Sequence, residues 1–165
     1  MRQKLKGFFC AALVMALLVG GFSLAGTKAA AAVTCKALCG AALKATGGSA
    51  NLEYQSNSAI DFGALSASAR KKVKTIQYVC DSKEVYSLCV MQAKNTAGAK
   101  ALLKQLQEYQ QNNCSSAYLQ DYSFTEQEVF KNAVCGRKGK YVWYIALSSQ
   151  KATNAKGEKA IKKKL

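Results

Sequence analysis

The stretch "VKTIQYVCDSKEVYSLCVMQA", residues 73–93, decides the fold. Its two halves, 73–80 and 84–93, are rich in β-branched and aromatic residues, and Asp81-Ser82-Lys83 between them is a turn signal. The spacing predicts a β-hairpin with Cys80 opposite Val85 and Cys89 opposite Ile76. Beyond it the period changes from two to three and four. Asn95 or Thr96 caps a helix whose apolar positions are Ala99, Leu102, Leu103, Leu106 and Tyr109, ending near Asn112-Asn113.

A second pair of strands is expected after that helix. Thr125-x-x-Glu128 reads as a capping box opening a short helix, and "VFKNAVC" (129–135) soon turns to strand. "GRKG" (136–139) is then a turn and "KYVWYIALS" (140–148) the strongest strand in the chain. Upstream, "TCKALCGAALKAT" (34–46) is a short helix capped by Thr34 and closed by Gly47-Gly48. It carries Cys35, Leu38, Cys39 and Ala42 on one face. Residues 47–58 read as loop, and Asp61 as the cap of a helical turn over 62–70. The sum is an α+β domain: an antiparallel sheet of about four strands in ββ-α-ββ-α order, covered by helices and preceded by an N-terminal helix. The divisions are a signal peptide over 1–32, an N-terminal helix and loop over 33–58, the α+β domain over 59–150 and a lysine-rich C-terminal helix or tail over 151–165.

The signal reading rests on Arg2, Lys4 and Lys6 before an uncharged, mostly apolar run from Phe8 to Leu24, followed by small residues. Cleavage is expected near Ala31 or Ala32. At 17 residues the run is at the short edge of a membrane span, so a retained anchor is the alternative. Lipidation needs a cysteine after Leu24-Ala25-Gly26, and Thr27 stands there instead. The expected address is therefore outside the cell, secreted or associated with the envelope, and not as a lipoprotein. Membrane contact is limited to the signal segment or a basic surface.

The chain carries a net charge of +15, and removing the leader's four bases, which face no acids, leaves +11. Outside a cell such charge favours polyanions: wall polymers of the teichoic-acid type or acidic phospholipid headgroups. Solubility alone is the plainer explanation. The candidate contacts are Arg70, Lys71, Lys72, Lys74, Arg137, Lys138, Lys140, Lys162, Lys163 and Lys164. Tyr78, Tyr141, Trp143 and Tyr144 interleave with these bases as in single-strand nucleic-acid platforms. Export argues against that partner and for aromatics packed beneath helices.

The absence of histidine removes the commonest general base and metal ligand together. Past the leader stand six cysteines: Cys35, Cys39, Cys80, Cys89, Cys114 and Cys135. An even count in an exported chain reads as a disulfide framework, with connectivity open. The expected hairpin register sets Cys80 and Cys89 too far apart to bridge, leaving Cys114 and Cys135 to reach back to the first helix. Structural zinc would need a second close pair beside Cys35 and Cys39. No cofactor or metal is implied. Asp121, Glu126 and Glu128 could supply paired carboxylates for glycoside chemistry, but they cluster on one short loop near a cap, and capping is their simpler role. The functional expectation is a non-enzymatic envelope domain that binds a polyanionic polymer or an envelope protein. A carboxylate-dependent hydrolase of wall polymers is the alternative.

Residues 84–148 are similar to the bacterial domain-of-unknown-function family 4358. The similarity lies in "EVYSLCVMQAKN", "AGAKALLKQLQEYQQN" and "EVFKNAVCGRKGKYVWYIAL", above all in the turn and strand "GKYVWYIALS" (139–148). It implies a small exported protein, many members being lipoproteins, and no assigned activity. The chain departs from the family in Thr27, in its six cysteines and in its basic balance.

Overall fold

The computed structural model describes residues 32–48 and 51–165, so the leader read over 1–32 lies, but for Ala32, outside the described residues. The elements are α1 (Cys35–Thr46), β1 (Glu53–Tyr54), α2 (Ser58–Asp61), α3 (Ala67–Arg70), β2 (Val73–Cys80), β3 (Ser87–Ala93), α4 (Thr96–Asn113), α5 (Ser116–Leu119), α6 (Phe124–Lys131), β4 (Val134–Lys138), β5 (Tyr141–Ala146) and α7 (Lys151–Lys164). The class is α+β, and the antiparallel sheet has five strands in the order β1-β2-β3-β5-β4. The extra strand, β1, is two residues inside the stretch read as loop, pairing Glu53 with Cys80.

The hairpin of β2 and β3 forms in a register two residues away from the one its sequence suggests. Cys80 faces Ser87 and Cys89 faces Tyr78. The connection spans 81–86, wider than its turn signal, because Asp81 organises it. The Asp81 amide donates to the Tyr86 carbonyl at 3.0 Å, the Tyr86 amide donates to the Asp81 carboxylate at 3.2 Å, and Glu84 takes a φ of 55°. A slip of two leaves every side chain on its own face, so the hydrophobic pattern is indifferent to it.

β3 and β4 run in the same direction with β5 between them, and the helical stretch α4 to α6 makes the crossover. Helices cover both faces. Phe62, Tyr78, Cys89, Met91, Leu102, Leu106, Phe130 and Tyr144 belong to the layer between the sheet and the helices α2 to α6. Leu38, Cys39, Ala42, Val79, Leu88, Trp143, Ile145 and Ile161 belong to the layer beneath α1 and α7. Burial on both sides explains why 84–93 and 140–148 are apolar almost throughout.

Two helix caps form where the sequence places them. Thr34 caps α1 by accepting from the Ala37 amide, and Gly47 ends it at φ 81°. Asn95 caps α4 by accepting from the Gly98 amide at 2.7 Å. Three readings need correction. Asp61 closes α2, accepting from the Asn57 amide, and Ser66 caps α3 instead. The capping box is Ser123 with Glu126, two residues ahead of Thr125 and Glu128. The second hairpin turns on Gly139 and Lys140 alone, since Gly136, Arg137 and Lys138 continue β4. Gly139 has φ 58°, the left-handed backbone that two-residue turns demand. Finally, α7 is a packed layer: Asn154, Gly157 and Ile161 are buried, and residues 32–165 form one unit.

Candidate functional site

Strand register brings the bases together. Val73 faces Ala93, Gln92 faces Tyr141, and Tyr141 faces Lys138, so the start of β2, the end of β3, the start of β5 and the end of β4 share one edge of the sheet. Backbone hydrogen bonds tie that edge together: the Lys94 amide donates to the Lys72 carbonyl at 2.9 Å, and the Ala93 amide to the Lys140 carbonyl at 2.8 Å. Arg70 and Lys71 end α3 just before it. The last turn of α7 joins from one layer, where Lys138 Nζ donates to the Lys162 carbonyl at 2.9 Å, with Lys163 and Lys164 exposed beyond. The start of α1 joins too, because the Tyr141 hydroxyl donates to the Val33 carbonyl at 2.7 Å. All ten candidate bases therefore lie at one end of the molecule.

Two more belong there that the sequence reading missed. Lys94 with Lys71, Lys72, Asn95 and Gly98 lines a groove of about 330 Å³ at the start of α4. Lys36 with Lys74, Val33 and Thr34 lines another of about 370 Å³. Lys94 directly follows a strand read as ending at Ala93, which was the available signal; Lys36 needed the placement of α1. Most of these side chains point to solvent. Four are engaged: the guanidinium of Arg137 donates to the Gly139 carbonyl at 2.9 Å, Lys162 pairs with Glu158 at 3.0 Å, Lys138 holds the Lys162 carbonyl, and the Lys36 ammonium lies 5.4 Å from the Tyr54 ring centre.

The opposite end mixes acids with Lys83, Lys131 and Lys151. Glu53 is paired with the Cys80 level, Asp81 and Glu84 shape the 81–86 loop, and Glu126 reaches Lys83 of that loop at 3.6 Å. Glu128 sits where Asn132 donates both to its carboxylate and to the Ser149 carbonyl. These are also the carboxylates on which a hydrolase would have to draw. Glu126 accepts from the Ser123 hydroxyl at 2.6 Å and its amide at 2.9 Å, and these bonds hold its carboxyl below the usual range. A general acid needs the opposite shift. Glu128 is bound to Lys131 and Asn132, and Asp121 is exposed.

The aromatics serve the core. Tyr78, Trp143 and Tyr144 are buried, and Tyr141 is half-buried beneath Val33, so none offers a stacking platform. The six cysteines among the described residues are free thiols. Cys35 and Cys39 donate to the Thr75 and Gln77 carbonyls at 3.7 and 3.8 Å. Four helical residues rise about 6 Å and two strand residues about 6.7 Å, so the two thiols set α1 in register along β2. Cys80, Cys89, Cys114 and Cys135 belong to the other layer. The sheet therefore lies between α1 and the two cysteines expected to bridge to it, and that pairing is corrected. Burial raises the Cys35, Cys39 and Cys89 thiols and pushes Cys135 up to about 12. Among the described residues no three of Cys, Asp and Glu converge as metal ligands, and no helix is long and apolar enough to cross a membrane.

No family model matches the chain, and no curated protein or solved structure does.

Proposed function

We propose that this chain is an exported, non-enzymatic domain of the cell envelope that binds a polyanion through its basic end. One observation carries the reading: twelve of the twenty bases that follow residue 32 are gathered at one end, while the acids of the 81–86 loop and α6 stand at the other, interspersed with Lys83 and Lys131. Charge spread only for solubility has no reason to separate in this way. Residues 1–32 serve as the export signal, and kinship with family 4358, drawn from the likeness of residues 84–148, is part of the same proposal. Intact-mass measurement after export should show an N-terminus between Ala31 and Thr34 and no lipid.

Binding is tested by capture on purified envelopes at roughly 0.01 M and 1 M salt, where the screening length falls from about 30 to 3 Å. Capture lost at high salt supports the reading. Capture retained there would point to a shaped protein interface and overturn it.

A further inference from the structure

Among the surfaces of the domain, the basic end is distinguished by its shape and by where the chain enters it. Its bases come from α1, α3, β2, the end of β3, the β4–β5 turn and α7. They span the sheet from β2 to β4, three strand spacings or about 15 Å, and reach into the helical layers on both faces. This is a two-dimensional array. A single polymer strand follows a track and meets few of these charges at once, whereas a charged plane meets all of them.

The second observation is the entry point. Val33 is held at this end by Tyr141, and Val33 and Thr34 line the groove that contains Lys36 and Lys74. The apolar run of the leader ends at Leu24, nine residues before Val33. Nine residues reach about 30 Å at most, so while that run is in a bilayer the basic end stays close to the headgroups. Once the leader is cleaved, the new terminal ammonium adds its charge at the same place. The end that holds the acids of the 81–86 loop and α6 is turned away, which fixes the orientation.

We infer that the polyanion is an anionic phospholipid surface, on which the domain rests end-on with Lys71, Lys74, Lys94, Lys140 and Lys163 toward the headgroups. This rests on the polyanion reading above and names its ligand. Juxtamembrane bases act in this way on acidic leaflets, within a screening length of the surface.

Residues 32–165 contain both layers of the core and can be tested as the exported domain. The probes are vesicles of phosphatidylglycerol and phosphatidylcholine, vesicles of phosphatidylcholine alone, and soluble poly(glycerol phosphate). Two triple variants of equal net charge are compared, with unchanged thermal melting as the check on folding. One is Lys71→Glu, Lys140→Glu and Lys163→Glu; the other, away from the basic end, is Lys44→Glu, Lys131→Glu and Lys151→Glu. The expected result is sedimentation with the anionic vesicles alone, reduced at least tenfold by the first triple and less than threefold by the second. Equal losses from both triples would show that net charge suffices and overturn the end-on arrangement. Binding to poly(glycerol phosphate) without binding to anionic vesicles would overturn the membrane inference and leave the polyanion reading standing. Binding to none of the probes would overturn both.

Discussion

The two faces of the sheet are packed by different means. Beneath α2 to α6 the space is filled by rings: Phe62 lies 5.0 Å from Tyr78 and 5.5 Å from Tyr109, and Tyr109 lies 5.4 Å from Tyr144. Beneath α1 and α7 the backbones come close, and small residues and hydrogen bonds make the fit. A Cβ on Gly157 would stand 3.1 Å from the Thr46 methyl and 3.6 Å from Ala42 and Ile145. One on Gly136 would stand 2.6 Å from Trp143 Cε2 and collide with Glu158, whose carboxylate accepts from the Trp143 indole at 3.3 Å. The first face depends on volume and the second on proximity, so opposite kinds of substitution should damage them.

Truncation on the ring-filled face should have the largest effect. Phe62→Ala is expected to cost about 3–5 kcal/mol and Leu106→Ala about 2–5 kcal/mol in denaturant unfolding, both side chains being fully buried. A loss below roughly 0.5 kcal/mol at Leu106 would mean that its stripe is not a core contact. On the other face the damage should come from a hydrogen bond donor and acceptor set. The Asn154 side chain accepts from the Leu147 amide and donates to the Asn132 and Ser148 carbonyls, at 3.0, 2.8 and 2.9 Å. Asn154→Ala strands these groups and should cost about 3 kcal/mol. Enlargement there comes next: Gly136→Ala and Gly157→Leu should each cost about 1–3 kcal/mol, although both favour regular backbone. If Gly157→Leu stabilises the protein, the close approach of α1 and α7 is not a requirement and the contrast between the faces fails.

A pH dependence follows on both faces, because burial raises the thiols of Cys35 and Cys39 under α1 as well as that of Cys135. Cys135 has its thiol pushed up to about 12 by burial, against about 9 in the unfolded chain. The unfolded state therefore loses this proton first, and stability is intact below about pH 9. It then falls by up to about 1.4 kcal/mol per pH unit until the folded thiol also ionises near 12. Cys135→Val should flatten part of that decline in urea titrations at pH 8 to 11. An unchanged slope would place the ionisation elsewhere.

Much of this arrangement was legible in the chain. The helices around Leu38 and Leu102 and the strands around Val79 and Trp143 follow from periodicity, which depends on neighbours a few residues away. Thr34 and Asn95 were readable as caps for the same reason. The hairpin register was not, because the pattern of faces survives a slip of two and only the side chain of Asp81 decides between the alternatives. Capping by Ser123 rather than Thr125 was likewise a choice between two adequate local signals.

The sequence by itself determined the elements, their apolar faces and the excess of positive charge. Tertiary structure alone decided that residues 71, 94, 140 and 163 lie at one end, that the cysteines divide between two layers, and that Gly136 and Asn154 sit where a side chain or its loss would be felt. The reason is physical: periodicity and capping are settled within a turn or two of chain, while strand order, register and the approach of α7 to α1 are settled by contacts between residues far apart in the chain, to which no local pattern corresponds.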